Sequence, residues 1–354
     1  MTYQVAAPKP TRATGPRDAK IVIVGEAPGE QEELTGMPFQ GSSGQELTRM
    51  LKEAGIDRSQ CFLTNVLSFR PPDNKLDEWC GKREDVGKDY PLPPLASGKY
   101  LRTEHLPELD RLREEIESVN PNLVLALGGT ASWAILRSGK ITPIRGTVTS
   151  GVLTPHKVLP TFHPSAVIRN WENRPVVVAD FIKAERESHF SEVRRPQRTI
   201  YYDPELHDLQ IIRQHLLSAN RLGVDIETKR RTITCIGFAP TRDSAFVIPF
   251  YDPRRVGGSY WSSADAEREA WRLVGDVLAS PSEKVFQNGL YDIQYLAKMG
   301  FQIRNSVHDT MILHHALYPE LQKSLGFMGS IYTNEASWKL MRARGEDSNK
   351  REDE

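Results

Sequence analysis

The sequence predicts an α/β protein with two domains: a three-layer α/β/α domain with a parallel sheet, then a domain with a mixed sheet. A length of 354 residues corresponds to about two domains, each large enough to bury a core. Residues 20–190 alternate between short apolar runs and amphipathic helical patterns, which is typical of a parallel sheet with helices on both faces. After residue 198, three strand-like runs follow one another before a strong helical pattern, which favours a mixed sheet.

The hydrophobic pattern divides the first half into elements. Four apolar residues at 21–24 run into Gly25, which predicts a buried strand that ends at a turn. Ser42 or Ser43 is expected to cap the next helix, and Gly55 to end it. Further strands are predicted at 61–67, 123–127 and 158–161, helices at 106–119 and after Gly128-Gly129, and a long loop at 71–97.

The second half has a different order of elements. Strands are predicted at 222–226, 232–238, 245–249 and 285–286, and helices at 264–278 and 290–299. A charged stretch that contains Pro196 separates the two patterns, so we place a linker at 191–198. The other predicted limits are a flexible segment at 1–19, a first domain at 20–190, a second domain at 199–340 and a charged tail at 341–354.

Charge and cysteine content exclude some classes of protein. The formal net charge is zero, with 46 basic and 46 acidic residues, so any basic surface for a nucleic acid must be local. Cys61, Cys80 and Cys235 lie far apart without a CxxC motif, which argues against a disulfide framework or a zinc site and fits a reducing cytosol. No apolar segment follows Met1 and no run of about 18 apolar residues occurs, so we expect a cytoplasmic protein without a membrane span.

A candidate ligand site follows the first predicted strand directly. Residues 25–29 are Gly-Glu-Ala-Pro-Gly, at the carboxyl end of a strand, where parallel sheets bind ligands. Glycines there let a substrate approach the backbone closely, and Glu26 supplies a carboxylate. Taken singly, this segment is more often a plain turn, and Phe39, Asn65 and His163 are more often structural residues.

The combination of motifs is far more specific than any single one. Gly-Glu-Ala-Pro-Gly is followed by Gly-Met-Pro-Phe-Gln-Gly at 36–41, Thr-Asn-Val at 64–66, Arg-Pro-Pro at 70–72 and Phe-His-Pro-Ser-Ala at 162–166. Over roughly residues 20–190 this order resembles the uracil-DNA glycosylase superfamily, and most of all its iron–sulfur branch. The resemblance implies a uracil-DNA glycosylase-like fold and excision of uracil from DNA by N-glycosidic hydrolysis, without a cofactor at this site.

The resemblance also implies roles that the chemistry of these residues can support. Phe39 would stack on a uracil flipped out of the DNA, and Asn65 would recognise its edge, rejecting cytosine because cytosine presents the reverse hydrogen-bonding pattern. His163 would donate to uracil O2 as negative charge develops there, and Glu26 would orient the attacking water or stabilise the cationic sugar. The implied substrate-binding residues are Gly25, Ala27, Pro28, Gly29, Phe39, Asn65 and Ser165.

This sequence departs from the family pattern at several positions. The iron–sulfur branch uses four cysteines, but no cysteine pair precedes the first strand, and Phe69 stands where that branch has a cysteine. We therefore expect no iron–sulfur cluster and expect the 71–99 loop to fill that region. Ala27 stands where another branch has an aspartate, so Glu26 would act alone, and Gly29 leaves open how the methyl group of thymine is excluded.

A second candidate site lies in the second half. Asp225 and Glu227 are two apart at the end of an apolar strand, so their side chains share one face. Paired carboxylates can bind Mg²⁺ or Mn²⁺, and a two-metal site can activate water for phosphodiester cleavage. Asn288 and Asp292 are four apart, so on a helix they would also share a face. An isolated pair of this kind is more often a solvated strand end.

These residues resemble the proofreading 3′–5′ exonuclease domain of family A DNA polymerases over roughly residues 198–340. The resemblance implies a ribonuclease H-like fold, with Asp225, Glu227 and Asp292 as catalytic metal ligands and with Thr228 and Asn288 near the terminal nucleotide. For Asp309 we prefer a structural role as the carboxylate that begins a helix.

The third exonuclease motif, Tyr-x-x-x-Asp, is missing from the sequence as given. Asp347 and Asp353 lie in the tail, but neither has a tyrosine or histidine four positions earlier. We therefore expect strongly reduced exonuclease activity in this chain alone. The whole arrangement resembles the N-terminal part of certain bacteriophage DNA polymerases, which join such domains to a polymerase.

The sequence is compatible with three functions. The first is a DNA-processing enzyme of phage replication or repair in which uracil excision is intact, located in the host cytosol if the protein is phage-encoded. The second is a proofreading subunit that needs a separate family A polymerase chain, with the glycosylase-like domain merely holding DNA. The third is a non-catalytic DNA-binding or assembly module. Candidate phosphate contacts are Arg169, Arg174, Lys229, Arg230 and Arg231.

Overall fold

The computed structural model describes residues 10–335. Their contacts divide them into two units, one formed by residues 10–195 with 329–335 and the other by residues 196–328. The predicted charged tail at 341–354 lies outside the described residues, together with Asp347 and Asp353. None of the described helices has the length and apolar character that crossing a membrane requires.

The first unit is built on a five-stranded sheet with the order β2-β1-β5-β7-β6. Its strands are β1 (Ile21–Gly25), β2 (Cys61–Asn65), β3 (Cys80–Gly81), β4 (Tyr100–Leu101), β5 (Leu123–Leu127), β6 (Thr149–Ser150) and β7 (Lys157–Thr161), of which β3 and β4 pair separately. Its helices are α1 (Glu30–Thr35), α2 (Ser42–Glu53), α3 (Arg83–Val86), α4 (Pro107–Val119), α5 (Gly128–Leu136), α6 (Ile141–Ile144), α7 (Pro164–Arg169) and α8 (Arg174–Glu187). The four longer strands of this sheet are parallel, and only the short β6 is antiparallel.

Apolar side chains cover both faces of this sheet. Ile21 and Ile23 of β1 belong to one buried cluster, whereas Val22 and Val24 belong to another. Successive side chains of a strand point to opposite faces, so a strand buried on both sides needs an unbroken apolar run. The predicted three-layer α/β/α architecture is confirmed.

Two local predictions for the first unit are wrong. Helix α2 begins at Ser42 and its N-cap is Gly41, so neither Ser42 nor Ser43 caps it. The Gly41 N–H donates instead to the Glu32 carboxylate, at 2.9 Å. The predicted loop at 71–97 contains β3, α3 and two short 3₁₀ turns, Pro72–Asn74 and Leu76–Trp79. Short polar segments of this kind carry little periodic signal.

The second unit is built on a six-stranded mixed sheet with the order β13-β12-β9-β10-β11-β8. Its strands are β8 (Thr199–Tyr201), β9 (Arg221–Lys229), β10 (Thr232–Ala239), β11 (Ser244–Pro249), β12 (Glu283–Phe286) and β13 (Ser306–Asp309). Its helices are α9 (Leu209–Leu217), α10 (Ala264–Ala279), α11 (Leu290–Lys298) and α12 (Thr310–Leu317), and α13 (Leu325–Tyr332) is the last helix of the described residues.

The strand directions identify the fold of this unit. β10 is antiparallel to both β9 and β11, whereas β12 is parallel to β9 and β13 is parallel to β12. This order and these directions are those of the ribonuclease H-like fold, as predicted. Strand β9 alternates, with Leu222, Val224 and Ile226 buried and with Asp225 and Glu227 exposed on the other face.

Candidate active site

A cleft of about 380 Å³ opens where β1 and β2 end. The two strands are parallel and in register, with Gly25 opposite Asn65, so the residues that follow them meet at one edge of the sheet. The cleft brings together eight predicted site residues: Glu26, Ala27, Pro28, Gly29, Phe39, Asn65, His163 and Ser165. Gly25 lies behind this lining rather than in it.

Gly25 is required by close packing behind the cleft. A Cβ atom at this position would lie 2.3 Å from Asn65 Oδ1 and 2.7 Å from Phe39 Cζ. Both contacts are too short for any side chain, so only glycine lets the Asn65 amide and the Phe39 ring lie side by side.

The backbone of Asn65 is held by a side chain of a neighbouring helix. Arg111 of α4 donates from Nη2 to the carbonyl oxygens of Asn65 (2.8 Å) and Val66 (3.0 Å). The same guanidinium forms ion pairs with Glu108 at 2.9 Å and Glu115 at 2.8 Å. The strand end that carries the buried Asn65 amide is therefore tied to a neighbouring helix, a role for Arg111 that sequence reasoning missed.

Phe39 adopts a left-handed backbone conformation, with φ of 56°. Arg58 Nη2 donates to its carbonyl at 2.8 Å, and a Cβ on Gly44 would lie 1.9 Å from that same oxygen. Its ring lies 6.3 Å from the His163 ring, centroid to centroid. A conformation that is costly for a bulky residue is thus held in place by its surroundings, which is common at binding sites.

Glu32 connects the two loops that form the cleft. Its Oε1 accepts from the N–H groups of Gln40 (2.8 Å) and Gly41 (2.9 Å), and its Oε2 accepts from Gly29 N–H at 3.0 Å. Sequence reasoning missed this residue. Its position three residues after the N-cap Gly29 is the spacing of a capping box and could have revealed it.

His163 is held as a neutral ring with a defined tautomer. Its Nδ1 accepts from Ser165 N–H at 3.2 Å and lies 2.8 Å from Ser165 Oγ, so the ring proton is assigned to Nε2. Burial, and to a lesser degree the positive charge of Arg169, lowers the pKa of His163 to about 4. At neutral pH the ring is therefore an uncharged N–H donor.

Glu26 is positioned by α5, the helix that follows β5, and β5 is the strand that pairs with β1 on the side away from β2. Thr130, in the first turn of α5, donates from Oγ1 to Glu26 Oε2 at 2.5 Å. This contact spans 104 residues of sequence, so no local pattern could have indicated it.

In the second unit the predicted carboxylates lie on two neighbouring elements. Asp225 and Glu227 project from the exposed face of β9, and Asp292 lies buried on α11 with its Oδ1 accepting from Ile226 N–H at 3.0 Å. Burial is the main cause that raises the pKa of Asp292 to about 6, and the charge of Asp225 adds to it, whereas the bond from Ile226 opposes it.

The donor set of this face suits a hard cation bound partly through water. Within residues 10–335, no group of three or more His, Cys, Asp or Glu side chains is arranged as a ready metal cage. Magnesium is usually held by one or two carboxylates together with waters and substrate phosphates. The exposed oxygens of Asp225 and Glu227 fit that mode of binding.

Asn288 does not share a helix face with Asp292, so that prediction is wrong. Helix α11 begins at Leu290, and Asn288 lies in the preceding turn with φ of 57°. The carboxylate of Asp309 accepts from the N–H groups of Asn288 (3.2 Å) and Gly289 (2.7 Å), which stabilises this turn. Asp309 also caps α12 through Met311 N–H at 2.8 Å, so its predicted structural role is confirmed.

Thr228 lies beside the carboxylates with a partner that sequence reasoning missed. Its hydroxyl is 2.6 Å from the hydroxyl of Tyr291, which precedes Asp292 on α11. The pair joins the end of β9 to the helix that carries the buried carboxylate.

The candidate phosphate contacts differ in their surroundings. Arg174 pairs with Glu46 at 2.9 Å and Glu53 at 2.8 Å, which gives it a structural role between α8 and α2. Arg169 is exposed at the end of α7, and Arg230 and Arg231 are exposed in the turn between β9 and β10. The exposed arginines remain candidates.

The cysteines do not fit an iron–sulfur cluster, which in this branch requires four thiolates. The whole sequence contains three cysteines, and Cys61 and Cys80 are buried on separate strands while Cys235 lies in the other unit. Burial raises the pKa of Cys61 to about 12, which disfavours the thiolate. Apolar side chains from the 71–99 segment, among them Leu76, Trp79 and Leu95, pack into the core instead.

Comparison with known proteins gives one family match. The model of the uracil DNA glycosylase superfamily matches residues 13–192. The type-4 uracil-DNA glycosylase of Thermotoga maritima is 37% identical over 174 residues, covering 48% of this chain and 78% of that protein.

Two further likenesses extend into the second half. The DNA polymerase of Bacillus phage SP01 is 22% identical over 338 residues, covering 87% of this chain, which spans about a third (33%) of that polymerase. The catalytic core of RRP6 from Trypanosoma brucei is similar with a TM-score of 0.31 and 19% identity, over 41% of this chain and 39% of that one.

Proposed function

This chain belongs to the uracil-DNA glycosylase superfamily, and we propose that its first domain, residues 20–190, excises uracil from DNA. The observation that carries the proposal is the cleft in which Glu26, Phe39, Asn65 and His163 meet. Each of these groups has a part in hydrolysis of the bond between a base and its sugar.

Recognition begins with a uracil flipped out of the strand, which stacks on Phe39. The Asn65 side-chain oxygen accepts from N3–H and its amide donates to O4, a pattern that cytosine cannot match. The contacts of Arg111 with the Asn65 backbone support a fixed position for this amide. Such a site discriminates strongly because a wrong base leaves buried polar groups unpaired.

Cleavage leaves negative charge on the departing base and positive charge on the sugar. His163 donates from Nε2 to uracil O2, where the negative charge develops, and it acts as a neutral donor because its pKa is about 4. Glu26 orients the attacking water and stabilises the cationic sugar, with its other oxygen bonded to Thr130. The substrate-binding backbone is that of Gly25, Ala27, Pro28 and Gly29, with Ser165 positioning the His163 ring.

For the second domain, residues 199–340, we propose a 3′–5′ exonuclease-like module. Asp225, Glu227 and Asp292 would hold Mg²⁺ or Mn²⁺, which would supply activation of water and charge stabilisation at phosphorus. Thr228, with Tyr291 beside it, and the turn at Asn288 would contact the terminal nucleotide. The exposed carboxylates on a ribonuclease H-like sheet favour this second function.

Together the two domains would form a DNA-processing protein of phage replication or repair in the host cytoplasm. A separate family A polymerase chain is the partner that would complete the exonuclease module. The likeness of most of the chain to a phage DNA polymerase supports this assignment.

The test is release of free uracil from a single strand with one uracil, measured for the protein and for Asn65→Asp. The aspartate cannot donate to O4, so we expect uracil release to fall by about 10⁴-fold. The control Asn170→Asp, in the exposed segment after α7, should keep the original rate. Equal rates for the protein and Asn65→Asp would refute the proposed recognition.

A further inference from the structure

The second unit contains another cleft, of about 530 Å³, at the tip of the β9–β10 hairpin. We call it the hairpin cleft. Three segments line it: the hairpin turn with Lys229 and Arg230, the loop after β11 with Tyr251 and Gly258, and α10 with Glu267 and Trp271. None of the roles assigned above to Asp225, Glu227 or Asp292 uses these residues.

One wall of the hairpin cleft is aromatic and anchored. Trp271 stacks on the buried Phe250, with centroids 3.4 Å apart and planes 8° from parallel. Tyr251 follows Phe250 and is 40% exposed, so its ring is available to a ligand in the cleft. Lys229 Nζ lies 5.4 Å from the centroid of that ring. An exposed ring beside a cation is the combination by which proteins hold single-stranded nucleic acids.

Positive charge is concentrated around this wall. Arg230 and Arg231 form the two-residue turn of the hairpin, both in the left-handed conformation that such a turn requires, with φ of 51° and 62°. Arg254 and Arg255 follow in the adjoining loop and pair with Asp252. In a chain with a net charge of zero, these cations with Lys229 form a local basic surface of the kind a polynucleotide needs.

Two acidic side chains belong to the loop and the lining of this cleft, Asp252 and Glu267, and both are engaged. Asp252 is occupied by the two loop arginines, and Glu267 accepts from Ser259 Oγ at 2.8 Å. Gly258 keeps the space beside Tyr251 open, because a Cβ there would lie 2.9 Å from the ring and its φ is 76°. The loop is therefore shaped to leave the tyrosine uncovered.

We propose that the hairpin cleft binds a segment of single-stranded DNA, with Tyr251 stacking on a base and Lys229 and Arg230 contacting phosphates. Lys229 lies two residues beyond Glu227 on the same strand, about 7 Å along β9. A strand held here would be kept beside the exposed face of β9 that carries Asp225 and Glu227, which we call the carboxylate face. This site extends the proposed exonuclease-like role of the second unit and is independent of uracil recognition in the first.

The binding test uses the full chain, a fluorescein-labelled oligothymidylate and EDTA, which prevents metal-dependent cleavage. We expect Tyr251→Ala to weaken binding about tenfold and Tyr251→Phe to restore it, since stacking needs only the ring. Arg230→Glu should also flatten the dependence of affinity on salt. The control Arg304→Glu, an exposed residue before β13, changes the same charge and should leave binding unchanged.

A crosslinking experiment locates the contact directly. An oligonucleotide with one 5-iodocytosine is irradiated with the protein, because the proposed first cleft rejects cytosine and cannot take up the probe. Adducts on the peptides that contain Tyr251 or Trp271 are expected. Adducts confined to other peptides, unchanged binding by Tyr251→Ala, or full competition by free thymidine monophosphate would overturn the proposal. Failure here would leave the uracil assay unaffected, so the two proposals can fail separately.

Discussion

The cleft of about 380 Å³ in the first unit, which we call the base cleft, and the carboxylate face of the second unit are alike in one respect. In both, polar residues lie at the end of a buried strand. They differ in how these residues are supported. In the base cleft, Thr130 donates a hydrogen bond to the Glu26 carboxylate, and Ser165 N–H donates one to the His163 ring. These bonds fix the orientation of both side chains before a substrate binds. On the carboxylate face, Asp225 and Glu227 are exposed and Asp292 lies buried beneath them.

The two sites therefore differ in the chemistry that each can perform without a further component. Prearranged hydrogen-bond donors stabilise developing charge without further help, which suits base excision. Burial, with a smaller contribution from the charge of Asp225, raises the pKa of Asp292 to about 6, and a bound cation would favour its ionised form. We therefore expect the first site to act within its own domain, and the second to depend on divalent cations and on a further motif.

After Asn65→Asp, the largest effect on uracil release is expected at His163. Replacing His163 with alanine removes the donor to uracil O2 and should lower the rate of uracil release by about 10²–10³-fold. Since the pKa is about 4, the rate of the unaltered protein should show no inflection from this ring between about pH 5 and 8. A rate that falls as the pH rises through about 6.5 would mean that a charged ring acts instead.

The lowered pKa of His163 should also make the free energy of unfolding depend on pH. The unfolded chain takes up a proton on His163 near its ordinary pKa of 6.5, whereas the folded chain resists until about 4. The contribution of His163 is therefore present above pH 6.5 and is lost as the pH falls toward 4. Urea unfolding curves at several pH values should show this loss, and His163→Gln should remove it.

The contribution of Asp292 to stability depends on pH in the opposite direction. Its folded pKa is raised from 3.8 to about 6, so its contribution is present below pH 3.8 and is lost as the pH rises through 6. Asp292→Asn keeps an acceptor for Ile226 N–H and should raise the free energy of unfolding at pH 8 by on the order of 2 kcal/mol. Mg²⁺ should raise the melting temperature of the original protein but not of this variant. Equal stabilisation of both by Mg²⁺ would remove Asp292 from the metal site.

A smaller effect is expected at Thr130, which acts through Glu26. Thr130→Val removes the hydrogen bond to Oε2 and should lower kcat for uracil release about tenfold with little change in KM, because substrate binding is untouched. Thr130→Ser keeps a hydroxyl and should restore the rate. If the serine variant is as slow as the valine variant, the loss comes from packing rather than from the hydrogen bond.

Much of the fold could be predicted because its strands are buried on both faces. Ile21–Gly25 and Leu123–Leu127 are unbroken apolar runs, and their ends mark the edge of the sheet where the site lies. Strand β8 was missed because Thr199–Tyr201 is three exposed residues with no such pattern. The turn at Asn288 was misplaced in a helix because its left-handed backbone depends on the distant Asp309.

The base cleft was predictable only in part, because the residues that support it are distant in sequence. Motif residues next to strand ends could be assigned, but their supports come from far along the chain. Arg111 reaches Asn65 across 46 residues, and Thr130 reaches Glu26 across 104. Contacts of this length depend on the assembled sheet and leave no local signal. Glu32 is the exception, since its spacing from Gly29 is local.

One experiment tests directly whether the first site works alone and the second does not. The protein is incubated with a 5′-labelled single strand containing one uracil, in EDTA and in Mg²⁺, and each sample is then treated with alkali. We expect a break at the uracil of equal intensity in both samples, with at most slow shortening of the 3′ end in Mg²⁺. A strand left intact at the uracil in both samples, or digested rapidly from its 3′ end in Mg²⁺, would contradict this expectation.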